Sequence, residues 1–142
     1  MEKEVLIKKA MEARNNSYSP YSKYRVGAAL LCSDGSIVSG TNIENASYGA
    51  TVCAERCAVF KAVSSGKRDL RAIAIVGGDA SEEECMSSYA YPCGICRQVL
   101  REFSDPSEFT VIVARSVSDF REYKLKELLP ESFGPDNLSK EE

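Results

Sequence analysis

Cys53-Ala-Glu-Arg-Cys-Ala-Val-Phe-Lys-Ala-Val63, then Ser64-Ser-Gly66, then Leu70-Arg-Ala-Ile-Ala-Ile-Val76 is the stretch that decides the fold class. Eight of the eleven positions from 53 to 63 are apolar or sulfur-bearing and none is Gly or Pro, so they predict a buried helix that stops at Ser-Ser-Gly. Residues 70–76 are short, apolar and rich in branched side chains, as a central strand covered on both faces must be, and Gly77-Gly78 is read as its end. A buried helix feeding a buried strand requires a sheet with helices stacked on it.

Working toward the amino terminus, residues 42–49 lack periodicity and read as a loop, preceded by strands at 26–32 and 36–41. Ser33-Asp34-Gly35 between those strands is a hairpin turn. Residues 18–22 form an ordered loop, and residues 2–13 an outer helix with Val5, Leu6, Ala10 and Ala13 as its apolar stripe. Toward the carboxyl terminus come an acidic loop at 79–88 and a loop turning into a helix over 92–103, with cysteines in its first turn. A buried strand at 110–114, an extended piece near 122–123 and a helical turn at 125–129 follow. The order predicts an α/β domain over residues 1–134, one sheet between helix layers, with 135–142 as a mobile tail.

Length and composition agree: 142 residues, 44% hydrophobic and 27% charged, are ordinary for one globular domain. The formal charge is −3, and Lys and Arg never run longer than two, so nothing offers a footprint for phosphate backbones or anionic lipid. The amino terminus is charged from its second residue, and no apolar run approaches the ~18 residues that span a bilayer, so a cytoplasmic protein is expected.

The six cysteines and the absence of histidine narrow the chemistry. In a reducing compartment thiols serve burial, catalysis or metal ligation, and without histidine any metal site or acid–base step falls to thiolates and carboxylates. Cys32 and Cys85 read as packing. Cys93-Gly-Ile-Cys96 follows Pro92 and places two sulfurs one helical turn apart, where both can grip one ion. A third ligand would come from the other cysteine-bearing helix. On that helix Glu55 and Arg56 sit among apolar neighbours, where unpaired charges are costly. Side chains lean toward a helix N-terminus, so Glu55 can reach water on an ion held just beyond the helix end.

Cys53-Ala-Glu-Arg56 with Pro92-Cys-Gly-Ile-Cys96 resembles the zinc-dependent cytidine deaminases, whose signature includes a three-cysteine ligand set and a Glu acting as general acid and base. The resemblance extends to Tyr18-Ser-Pro-Tyr-Ser-Lys-Tyr-Arg-Val-Gly-Ala-Ala-Leu30, Asn42-Ile-Glu-Asn-Ala-Ser-Tyr48 and Glu127-Leu-Leu-Pro-Glu-Ser-Phe-Gly134. It implies a three-layer α/β/α sandwich around one mixed five-stranded sheet. It implies hydrolytic deamination of cytidine and 2′-deoxycytidine to uridine and 2′-deoxyuridine, a reaction of pyrimidine salvage that releases ammonia. One zinc per subunit would rest on Cys53, Cys93 and Cys96, with Glu55 as proton shuttle. Asn42 and Glu44 would hold the ribose, and Tyr24 and Ala54 would contact the substrate. Phe133 would come from a neighbouring subunit, Tyr48 would lie at the subunit interface, and Arg56 would bond the ligand sulfurs. The short chain resembles the homotetrameric type, with pockets shared between subunits, a free nucleoside as substrate, and no nucleic acid or membrane as partner.

Two positions depart from the family pattern: Tyr24 stands where Phe is common, and Cys57 where Thr or Ser is. Cys57 opens a competing possibility, a closed four-cysteine structural zinc site with no room for water. A redox Cys-x-x-Cys at 93–96 and deamination of a polynucleotide are further alternatives, the latter opposed by the acidic charge.

Overall fold

The computed structural model describes residues 1–138. Helix α1 (Lys3–Arg14) precedes strands β1 (Tyr24–Cys32) and β2 (Ile37–Thr41), then helix α2 (Ala54–Ser64) and strand β3 (Leu70–Asp79). Helix α3 (Gly94–Glu102), strands β4 (Thr110–Ala114) and β5 (Phe120–Lys124) and the short helix α4 (Leu125–Leu128) complete the order, with 3-10 turns at Tyr48–Ala50 and Pro135–Asn137. The strands form one sheet in the order β2-β1-β3-β4-β5. Only β3 and β4 pair in parallel, joined by a crossover through α3, and the other three pairs are antiparallel, so the sheet is mixed.

Alternation along the strands builds two cores. Ala28, Leu30, Ile73, Ile75, Val111 and Val113 face Ala58 and Ala62 of α2 and Leu100 of α3. Their neighbours Ala29, Ala72, Ala74, Val76, Ile112 and Ala114 face Leu6, Ile7 and Ala10 of α1. The result is the expected three-layer sandwich.

Two glycines set how closely the layers approach. A Cβ on Gly27 of β1 would lie 2.0 Å from the Ala10 carbonyl oxygen, and one on Gly40 of β2 would lie 2.5 Å from Ala58 N and 2.6 Å from the Ala54 oxygen. Helices α1 and α2 therefore rest directly on strand backbone, on opposite faces.

Strand β3 runs past Gly77-Gly78, where the sequence predicted its end. Gly77 pairs with Val26, Gly78 with Arg25 and Asp79 with Tyr24. These glycines give clearance rather than a turn: a Cβ at Gly77 would come within 2.8 Å of the Ala90 Cβ, and at Gly78 within 2.6 Å of the Met86 sulfur. The far end of β3 is held by Arg14, which the sequence did not single out. Buried at the end of α1, it donates to the carbonyl oxygens of Arg25, Gly78, Asp79 and Glu82 at 2.6–3.1 Å, so its charge is taken up by backbone dipoles.

The segment expected to begin a tail at 135 is docked on α3. Arg101 donates from Nε to Ser132 Oγ and from Nη2 to Asp136 Oδ1, both at 2.8 Å, and Gln98 Nε2 donates to the Phe133 carbonyl at 2.9 Å. Gly134 lies against the guanidinium, where a Cβ would be 2.4 Å from Arg101 Cζ. Residues 139–142 of the expected tail lie outside the described residues. Among the described residues no helix is long and apolar enough to cross a membrane.

Candidate active site

Helices α2 and α3 pack against each other, and each begins at a cysteine. Cys53 is the residue before α2 and Cys93 the residue before α3, both with extended backbone, so the free N–H groups of both first turns surround the same region. One turn into α3, buried Cys96 joins them. The sulfurs of Cys53, Cys93 and Cys96 all lie within 4.8 Å of one another, and those of Cys93 and Cys96 are 3.6 Å apart. Tetrahedral zinc with Zn–S bonds of about 2.3 Å needs sulfurs roughly 3.8 Å apart, so the donor set fits that ion with one position left over. Cys57 is outside the group, which removes the basis for a closed four-cysteine site.

Electrostatics of the cluster suit a cation. The Cys53 thiol is pushed down to about 5, first by a hydrogen bond from the Cys96 thiol and further by Arg56, whose Nη2 lies 3.5 Å from its sulfur. Cys96 shifts the opposite way, because its proton serves Cys53 and because it is buried. Three thiolates on a dication would leave a net charge of about −1, and the two helix N-termini and Arg56 supply the compensating positive potential. Glu55, only 5% exposed in the first turn of α2, has its carboxyl pushed up to about 7 by burial.

A cavity of about 360 Å³, the size of a small-ligand site, opens beside the cluster. Tyr24, Asn42, Ala54 and Glu55 line it together with Cys53 and Cys93, so six of the residues singled out in the sequence converge there. Asn42 is buried and committed to β1: its Oδ1 accepts from Val26 N at 2.9 Å and from the Ser17 hydroxyl, and its Nδ2 donates to the Tyr24 oxygen at 2.8 Å. Burial pushes the Tyr24 hydroxyl above its ordinary value.

Three expected residues stand apart. Glu44 and Tyr48 line an adjoining groove of about 370 Å³ that meets the cavity only at Thr51. The Glu44 carboxylate accepts from Tyr21 N at 3.0 Å, from Ser22 N at 3.1 Å and from the Ser22 hydroxyl, so in this chain it braces the loop before β1. Tyr48 is 78% exposed with its ring edge toward Tyr21, and Phe133, 58% exposed, lines neither cavity. The sequence reading missed Tyr89, Ala90 and Tyr91, which form a wall of the cavity. Their position immediately before Pro92-Cys93 was the available signal.

The family model for the cytidine and deoxycytidylate deaminase zinc-binding region matches residues 1–113. A cytidine deaminase of Halalkalibacterium halodurans is 45% identical over 139 residues, covering 98% of this chain and 99% of that protein. The crystal structure of cytidine deaminase from Burkholderia pseudomallei superposes with a TM-score of 0.81 at 41% identity, covering 91% of this chain and 97% of that one. That of Mycobacterium tuberculosis gives a TM-score of 0.75 at 41% identity, covering 92% and 95%. A three-sulfur cluster at two helix starts, a buried glutamate beside it and near full-length likeness in sequence and fold place this chain in the cytidine deaminase family.

Proposed function

We propose that the chain hydrolyses cytidine and 2′-deoxycytidine to uridine and 2′-deoxyuridine with release of ammonia, a step of pyrimidine salvage, using one zinc ion per subunit. The observation that carries this reading is the convergence of the Cys53, Cys93 and Cys96 sulfurs and the buried Glu55 carboxylate at one cavity of nucleoside-base size. Zinc, when bound by those three sulfurs, supplies Lewis acidity that makes water a nucleophile near neutral pH.

Glu55 carries the protons. It accepts one proton from the attacking water and delivers it to N3 of the pyrimidine, then takes the second from the new C4 hydroxyl as the carbonyl forms and passes it to the amine, which leaves as ammonia, so one carboxyl serves as base and acid in turn. Arg56 offsets thiolate charge by its bond to Cys53. Tyr24 and Ala54 contact the base, and Asn42 holds the ribose. Glu44 joins Asn42 at the sugar when a neighbouring subunit completes the rim.

A homotetramer with shared pockets accounts for the residues a single chain leaves unused. Phe133 is a large exposed aromatic held on a loop by α3, and Tyr48 is more exposed still; both are suited to close a neighbour's site. A free nucleoside fits the net charge of −3 better than a polynucleotide does. A cytoplasmic location would keep the ligand thiols reduced.

The test is the ultraviolet change from cytosine to uracil, with ammonia release, when purified zinc-loaded protein is added to cytidine, deoxycytidine, CMP or an oligonucleotide. Turnover of the two nucleosides supports the reading. An enzyme silent on cytidine, or faster on the oligonucleotide, overturns it.

A further inference from the structure

Residues 89–93 belong to neither helix nor strand, yet they form a wall of the cavity and lead directly into the metal cluster. With no ladder to hold it, the wall is fastened by side chains from β5 and the turn before it. Tyr89 Oη donates to Asp119 Oδ1 at 2.5 Å, and the Arg121 guanidinium lies over the Tyr89 ring, 4.4 Å from its centroid. Arg121 Nη1 also donates to Tyr91 Oη at 3.4 Å, and Tyr91 and Tyr123 share a hydroxyl hydrogen bond of 2.9 Å with their rings 5.8 Å apart.

We infer that Arg121 is a positioning residue, which latches the wall formed by Tyr89 and Tyr91 from the edge of the sheet and so sets how tightly the cavity grips its substrate. The inference rests on the deaminase reading above. Arg121 is itself outside the cavity and exposed, so it acts through the two tyrosines and not on the substrate. The task suits arginine, since one planar group can stack on the Tyr89 face while its edge donates to Tyr91; an ammonium cannot do both. A slack wall holds ground state and transition state less well by the same amount, which raises KM and leaves kcat alone.

Arg121→Met and Arg121→Lys, compared with the parent in zinc content, Tm and cytidine kinetics, test this. For Arg121→Met the expected result is a KM about fivefold higher with kcat within about twofold. Zinc content should be equal and Tm within a few degrees, with Arg121→Lys intermediate in KM. In a Tyr89→Leu background Arg121→Met should raise KM by less than it does in the parent, because only the contact with Tyr91 is left to lose. A KM unchanged in Arg121→Met, a kcat that falls with zinc content, or strict additivity with Tyr89→Leu overturns the latch while leaving the deaminase reading intact. A parent inactive on cytidine overturns both.

Discussion

The floor and the rim of the cavity are built in different ways. At the floor, Cys53, Glu55, Cys93 and Cys96 come from the first turns of two helices that pack on each other, and each side chain reaches its place by local geometry. At the rim, Glu44 braces its own loop while Tyr48 and Phe133 face outward. The floor is complete within one chain. The rim residues do not meet at the cavity within one chain, so a metal cluster can be recognised in a single subunit whereas a sugar site cannot.

The largest effects should come from the floor. Cys93→Ser is expected to lose zinc and activity together, measured by metal analysis and turnover, whereas Cys57→Ser should keep both. Zinc lost from Cys57→Ser but retained in Cys93→Ser would undo the ligand set. Glu55→Gln should keep zinc and fold, since the amide fills the same space, and lose at least about 10²- to 10⁴-fold in kcat because it cannot carry a proton. A variant within tenfold of the parent would remove Glu55 from the chemistry.

Rim substitutions should cost less and reveal the partner. Phe133→Ala should forfeit roughly 1–3 kcal/mol of base contact, read as a higher KM. Mixing Glu55→Gln subunits with Phe133→Ala subunits under reversible dissociation should raise activity above either parent, since hybrid pockets can pair an intact Glu55 with a neighbour's intact Phe133. Hybrids that form without any gain, or an active monomer, would show the rim to be self-contained. Asn42→Asp bridges the two regions: it replaces the donor to the Tyr24 oxygen with a carboxylate and should cost about 1–3 kcal/mol of stability by denaturant titration, besides weakening the sugar site. The smallest effect is expected for Tyr24→Phe, which removes a single hydroxyl from the cavity lining and should shift KM by no more than about threefold.

The same division governed what could be read in advance. Periodicity and stop residues located α2, β3 and β4 because those elements are buried, and burial leaves a run of apolar residues. The cysteine spacing located the floor because ligands one turn apart on a helix are also close in sequence. Gly77-Gly78 misled, since a glycine needed for clearance against Ala90 and Met86 looks the same as one needed for a turn. Arg14 and the Tyr89–Arg121 contact were invisible for another reason: each joins segments far apart in the chain through polar or aromatic groups that follow no period. The docking of residues 132–137 depends on Arg101, one exposed-looking position in a helix whose polar face gives no hint of a partner.

Gly40 lies on β2 and is absent from the cavity lining, yet backbone atoms of Ala54 and Ala58 occupy the space its side chain would need. Ala54 is the first residue of α2, between Cys53 and Glu55. The edge strand thus acts as a datum surface for the reactive groups: the helix is seated against it atom to atom, and the positions of a sulfur and a carboxylate inherit that seating. A methyl group at position 40 would act as a shim. It would force the start of α2 off the strand, at a cost in packing, and so would displace the reactive groups from a residue that does not line the cavity.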